Sequence, residues 1–209
     1  MQITELRKQK GKKSFYSIFI DNSFVCSLDE FSIYKHKLAL GQEIDKDTIE
    51  NIQAESMQSV AFEMCLDILS RSLKTEQQIK DYLNKKGFLL KVVNNVIDKL
   101  KEYHYINDQY YAECFVNAKS STCGKYKLKN ELKHKGVSDE IIDNVLLGLD
   151  NQDEIVHSIA NKFFKNKDKT KENYAKLARH LASKGFGWDE INTAINKIKA
   201  QEGDDEDWQ

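Results

Sequence analysis

The side chains best suited to chemistry in this 209-residue chain are cations, gathered in three stretches. Residues 71–91 hold Arg71, Lys74, Lys80, Lys85, Lys86 and Lys91 against Glu76 and Asp81. Residues 119–135 hold Lys119, Lys125, Lys127, Lys129, Lys133 and Lys135 against Glu131 alone. Residues 162–184 hold Lys162, Lys165, Lys167, Lys169, Lys171, Lys176, Arg179 and Lys184 against Asp168 and Glu172. Ammonium and guanidinium groups at this density attract phosphates or acidic protein surface. From them we single out Arg71, Lys80, Lys85, Lys125, Lys127, Lys129, Lys133, Lys169, Lys171, Lys176 and Arg179 as candidate contacts to a polyanion. The alternative is a solvated lysine face with no ligand.

Other reactive residue types form no constellation. His36, His104, His134, His157 and His180 are scattered, and Cys26, Cys65, Cys114 and Cys123 contain no C-x-x-C pair and no histidine at zinc spacing. Cys65 and Cys114 stand 49 residues apart and read as small core residues in equivalent places. Phosphate-binding glycine loops, H-E-x-x-H and G-x-S-x-G are absent. The expectation is a protein with no catalytic residues, no cofactor and no metal.

The elements that carry the cations are set by three Lys-Gly pairs, Lys86-Gly87, Lys135-Gly136 and Lys184-Gly185, at a constant interval of 49 residues. Apolar positions superimpose around them without a gap. Four residues before each glycine stand Leu83, Leu132 and Leu181; eight before, Ile79, Leu128 and Leu177; six after, Val93, Ile142 and Ile191. Ten after come Ile97, Leu146 and Ile195, thirteen after Leu100, Leu149 and Ile198, and twenty-one before Leu66, Phe115 and Phe164. Such a period predicts a tandem array of like units, each leaning on its neighbours. Each unit reads as three helices: 57–71, 75–86 and 89–102; 107–119, 124–135 and 138–149; 153–166, 171–184 and 188–200. Gly87, Gly136 and Gly185 fit left-handed residues that end the second helices. In a stacked array the equivalent helices would lie side by side and merge their lysines into one stripe.

The first residues differ. Ile3–Gln9, Tyr16–Ile20 and Phe24–Leu28 are β-rich runs, the last two joined by Asp21-Asn22-Ser23 and the first followed by Lys10-Gly11-Lys12-Lys13. A three-stranded meander this small needs a helix to pack on, and Asp29–Leu40 supplies one, with Phe31, Ile33, Tyr34, Leu38 and Ala39 as its apolar positions. The fold expected is mainly α: an elongated tandem array of three three-helix repeats with a small N-terminal antiparallel β meander plus helix. Its parts are residues 1–45, the meander and helix; 46–105, a lead-in helix and repeat 1; 106–151, repeat 2; 152–200, repeat 3; and 201–209, a disordered acidic tail. No secretory segment opens the sequence and no apolar run could span a membrane, so a cytoplasmic protein is expected.

Several stretches together resemble the RecX family, bacterial regulators of the RecA recombinase. They are AFEMCLDILSRS over 61–72, Thr75-Glu76 to Lys86-Gly87-Phe88, and Val96-Ile97-Asp98-Lys99-Leu100. Tyr105-Ile106-Asn107-Asp108, Tyr111-Ala112 and Gly124 to Glu131-Leu132-Lys133-His134-Lys135-Gly136-Val137 continue the likeness, which covers about residues 15–200. Departures are His104 where the family has glycine, Tyr111 for phenylalanine, Lys119 for arginine and Ser72 for a second basic residue. The resemblance implies a helical-repeat protein lying in the groove of the RecA–single-stranded-DNA filament. It implies that the protein lowers the filament's ATPase, strand-exchange and co-protease activity, with roles in DNA repair, recombination and the SOS response. Some members of the family also bind DNA. The partners expected are therefore the RecA filament and, by direct contact, single-stranded DNA, with no membrane and a monomeric chain. Two other readings stay open on the residues alone: a general nucleic-acid-binding array that needs no RecA, and a protein-binding scaffold that uses grooves between repeats.

Overall fold

The computed structural model of the chain describes residues 1–10, 15–149 and 152–206. Three strands, β1 (Ile3–Lys8), β2 (Phe15–Ile20) and β3 (Ser23–Asp29), form an antiparallel sheet in that order. Asp21 and Asn22 both have positive φ, 48° and 64°, the two-residue turn whose twist matches a hairpin. The connection expected at Lys10-Gly11-Lys12-Lys13 falls largely outside the described residues. The sheet's inner residues Ile3, Ile18, Ile20, Cys26 and Leu28 share a core with Ile49 and Ile52.

Those two residues belong to α2 (Lys46–Leu69), which joins Ile33 and Leu38 of the expected 29–40 segment in packing on the sheet. The helix anticipated over Asp29–Leu40 is only α1 (Glu30–Lys35), which ends because Lys37 is left-handed at φ 51° and Leu38 N bonds back to Ile33 O. Phe31 and Tyr34, expected in its apolar stripe, are 64% and 83% exposed. The lead-in helix and the first helix of repeat 1 are continuous in α2. Ser56, inside that helix, is buried: its hydroxyl donates to Asp29 Oδ1 at 2.7 Å and accepts from Asp29 N at 3.1 Å. Asp29 also caps α1 through Ser32 N at 3.2 Å, so one carboxylate ties β3, α1 and α2 together.

The remaining helices are α3 (Glu76–Lys85), α4 (Leu90–Glu102), α5 (Asp108–Lys119), α6 (Lys125–His134), α7 (Asp139–Leu147), α8 (Gln152–Phe164), α9 (Lys171–Ser183) and α10 (Trp188–Glu206). They fall into three helix triplets, each closing over its own core. Leu83, Leu132 and Leu181 are all fully buried, as are Ile79, Leu128 and Leu177. Among the described residues the three cores hold ten, eight and ten buried side chains, more than the six matched positions per repeat. Cys65 is fully buried, and burial pushes its thiol up to about 11, so it behaves as a small apolar residue; Cys114 in the equivalent place is half-buried. The acidic stretch 201–209 overlaps the end of α10, and 207–209 lie outside the described residues.

The chain divides into two compact units: residues 1–74 with 78–106, and 75–77 with 107–209. Unit 1 holds the sheet, α1, α2, α4 and most of α3. Its last turn contains His104 at φ 57°, which accounts for glycine at this place in the family. A non-glycine residue there costs roughly 1–2 kcal/mol, more than the ~0.4–1 kcal/mol of added chain entropy a glycine brings when unfolded. His104→Gly should therefore raise stability by about 0.5–1 kcal/mol; a urea midpoint that stays put or falls contradicts this.

Unit 2 holds two joints between repeats, both made at Lys-Gly turns. Gly124 N donates to Lys184 O at 2.9 Å and Tyr126 N to Gly185 O at 3.1 Å, so the first turn of α6 sits on the last turn of α9. At the other end of α6, the Thr75 hydroxyl donates to Lys135 O at 2.5 Å, while Glu76 N donates to Asp108 Oδ1 at 2.8 Å. Orphan carbonyls at one helix end thus meet donors at the start of another, backbone N–H groups at the α9–α6 joint and the Thr75 hydroxyl at the end of α6, and the dipoles align head to tail. Equivalent helices meet end to end here, whereas the repeat pattern suggested side-by-side contact.

Candidate nucleic-acid interface

The cations must be sorted by what each already holds. Arg71 spends its guanidinium on Asp67 one turn back, at 2.8 and 2.9 Å. Lys129 and Lys133, one turn apart on α6, pair with Asp143 and Asp139, one turn apart on α7. Hydrogen bonding from Lys133 holds Asp139 below the usual carboxylate range, and Asp143 raises the Lys129 ammonium. Lys176 pairs with Glu172 at 2.8 Å, and Arg179 Nε donates to Ala175 O at 3.3 Å. Lys80 and Lys169 also have contacts within the chain. Lys85, Lys125, Lys127 and Lys171 have no carboxylate within ion-pair distance among the described residues.

A second face of α6 does what the list of cations could not show. Lys127, Glu131 and Lys135 recur at four-residue spacing, and Lys119 at the end of α5 donates to Glu131. The hydrogen bond from Lys119, together with the fields of Lys119, Lys127 and Lys135, holds the Glu131 carboxyl below its ordinary range. Three ammoniums thus surround one carboxylate, leaving a local excess of two positive charges. Lys119 and Lys135 also lie 4.6 and 5.5 Å from the centre of the Phe115 ring.

Repeat 3 builds a related cluster. Lys167 lies 3.7 Å over Phe163, whose ring is 5.9 Å from that of His180. Burial first, then the fields of Lys184 and Lys167, lower the His180 imidazole, so it is mostly neutral at pH 7. Lys176, His180 and Lys184 repeat the four-residue spacing of Lys127, Glu131 and Lys135 on α9. The joint between the helices brings them into succession: Lys127 N would lie 2.3 Å from a Cβ placed on Gly185. Unit 2 therefore carries cations along the α9–α6 axis. Arg71, Lys80 and Lys85 belong to unit 1. Lys119, Lys135, Lys167 and Lys184 were not among the residues singled out by sequence; the four-residue spacing around Glu131 and His180 finds Lys135 and Lys184, whereas Lys119 and Lys167 are brought in by the fold.

Among the described residues no His, Cys, Asp and Glu cluster could hold a metal, and no helix is long and apolar enough to cross a membrane.

The model of the regulatory protein RecX N-terminal domain matches residues 1–45. Those of the first, second and third RecX three-helix domains match 61–100, 107–146 and 150–195. The chain is 32% identical to the regulatory protein RecX of Clostridium tetani over 209 residues, covering 97% of this chain and 96% of that one. The chain belongs to the RecX family. Against the RecX of Clostridium acetobutylicum it is also 32% identical, over 94% of this chain and 95% of the relative. A crystal structure of regulatory protein RecX superposes with a TM-score of 0.69 at 25% identity, covering 94% of this chain and 98% of that one. RecX from Lactobacillus salivarius gives 0.63 at 28% identity over 69% of this chain and 97% of that structure. A mainly helical RecX fold, with its N-terminal sheet and three tandem three-helix domains, is thus shared along nearly the whole chain. The α6–α9 row lies within the second and third three-helix domains of this RecX-family regulatory protein.

Proposed function

We propose that this chain is a non-enzymatic regulator of the RecA recombinase, acting as an inhibitor that binds in the groove of the RecA–single-stranded-DNA filament. Membership of a family of regulatory proteins along nearly the entire chain carries the reading, and the cation row in unit 2 supplies a physical means. A filament groove offers both nucleic-acid phosphates and acidic protein surface. Lys127, Lys135, Lys171 and Lys184 would meet that charge, with Lys125, Lys169 and Arg179 flanking them and Lys119 and Lys176, each already paired with a carboxylate, contributing less. Lys129 and Lys133 are pre-paired with α7 and contribute less, because an ion pair releases fewer counterions when a phosphate arrives. Arg71, Lys80 and Lys85 would act from unit 1. By this reading the chain works as a monomer in the cytoplasm, in DNA repair, recombination and the SOS response. Its parts are 1–45, 46–105, 106–151, 152–200 and the tail.

The test is ATP hydrolysis by RecA filaments on single-stranded DNA. Adding the chain at or below one copy per RecA protomer should lower the rate, and co-sedimentation should show it on the filament. An unchanged rate with no filament binding overturns the proposal. The row itself favours a second reading, a general nucleic-acid binder that acts without RecA. In that case bare single strands would bind as tightly as filaments, with a logarithmic salt slope of about −0.7 per contact.

A further inference from the structure

Three Lys-Gly turns share one backbone, and two of them are covered. Gly136 and Gly185 have φ of 81° and 84°, and a Cβ on either would collide, with Gln77 Cβ at 2.2 Å and with Lys127 N at 2.3 Å. Each turn is the seat of another helix's first residues. Gly87 has the same φ, 84°, yet nothing among the described residues lies within 4 Å of the Cβ it lacks. Lys135 O, Lys184 O and Gly185 O each accept a hydrogen bond from the docked segment. The counterparts in repeat 1, Lys86 O and Gly87 O, accept none among the described residues.

The residues after this turn are as unusual as its vacancy. Repeat 2 places Ser138 and Asp139 there, and the Ser138 hydroxyl caps α7 through Ile141 N. Repeat 1 has Leu89 and Leu90, 68% and 69% exposed, and α4 begins without any side-chain cap. An uncapped helix start with two solvated leucines is a cost that folding alone does not require. Lys85, Lys86 and Lys91 flank them, and none has a carboxylate within ion-pair distance among the described residues.

We propose that the Lys86–Leu90 turn is a docking site for the acidic first turn of a helix in a partner protein. The two covered turns define the kind of occupant, a helix start whose free N–H groups or N-terminal hydroxyl meet the turn's carbonyls. The leucines ask for an apolar side chain on that helix, and the three lysines ask for carboxylates, which helix first turns favour. A second copy of this chain fits poorly. Among the described residues the equivalent helix start that docks on no Lys-Gly turn is that of α9, where Asp168 and Glu172 are offset by Lys169 and Lys171 and Glu172 is already paired with Lys176, so it brings no net negative charge to the lysines. This inference is independent of RecA regulation, and its test uses neither RecA nor DNA.

The probe is a lactam-bridged helical peptide of about 16 residues, long enough to hold its helix, with first turn Thr-Glu-Glu-Leu. A control begins Thr-Lys-Lys-Leu. Amide shifts of the isotope-labelled full chain are followed by NMR. The acidic peptide should move Lys86 to Lys91, and the basic one should not. Leu89→Ser/Leu90→Asp installs the capping pair of repeat 2, so it should fold at least as well as the parent, yet bind the acidic peptide about tenfold more weakly for want of apolar burial. No shifts at this turn, equal shifts from both peptides, or unchanged affinity in the variant each overturn the proposal. So does concentration-dependent self-association in the ultracentrifuge that the double substitution abolishes, since the occupant would then be a second copy.

Discussion

Gly185→Ala should unfold unit 2 at a midpoint far below that of Gly87→Ala, although the two positions are equivalent in sequence. Both glycines are left-handed, so either alanine costs roughly 1–2 kcal/mol of backbone strain. Gly87 incurs nothing more, since no atom of the described residues is near its missing Cβ. At Gly185 the new methyl would lie 2.3 Å from Lys127 N and 2.8 Å from Lys127 Cα, and backbone cannot swing away as a side chain can. Overpacking of that kind adds about 1–3 kcal/mol, for a total near ~4 kcal/mol. Gly136→Ala should lose about as much as Gly185→Ala, because its nearest contact, at 2.2 Å, is Gln77 Cβ, which is fixed to the backbone. At about 4–8 °C per kcal/mol for a unit of about 100 residues, thermal melts should separate Gly87→Ala from the other two variants, which melt well below it. Equal losses would mean that the α9–α6 joint is not formed in solution.

That ordering also marks the limit of what the sequence discloses. The period of 49 residues predicts every helix triplet and, among the described residues, about half of the buried core positions, because burial repeats wherever a repeat closes on its own core. It does not disclose how repeats meet, because the docking atoms are backbone N–H and C=O groups, present at every residue and absent from any pattern of side chains. Gly124 is the exception. Its φ is ordinary at −79°, but a Cβ would meet Gly185 O at 2.2 Å, so a glycine there reports a joint rather than a turn. Ser56 is opaque for a similar reason: a polar residue within an apolar stripe makes sense only once its partner, Asp29, is known to arrive from 27 residues away. The candidate interface was half legible. The density of cations stands in the sequence, but whether a lysine meets solvent or an aspartate on the next helix depends on α7 lying against α6, which separates Lys129 and Lys133 from Lys127 and Lys135.

That separation predicts unequal effects from equal changes of composition. Replacing Lys127, Lys135, Lys171 and Lys184 by Gln should weaken binding to single-stranded DNA, bare or in a filament, roughly 10²–10³-fold at about 0.1 M salt, since each single-strand contact contributes about −0.7 to the logarithmic slope. The slope itself should fall by about 3. The matching control removes the two pre-formed pairs without changing net charge, through Lys129→Gln, Asp143→Asn, Lys133→Gln and Asp139→Asn. Exposed pairs of this sort contribute at most about 1 kcal/mol to stability, so the control should stay folded, with affinity and slope close to those of the parent. Titrations of a fluorescent oligonucleotide at several salt concentrations read both quantities. Equal losses in the two variants would show that the lysines act through their number alone, and the row along α9 and α6 would then have no part in binding. A loss confined to the first variant ties recognition to the end-to-end joint, because only that joint puts Lys184 and Lys127 in succession.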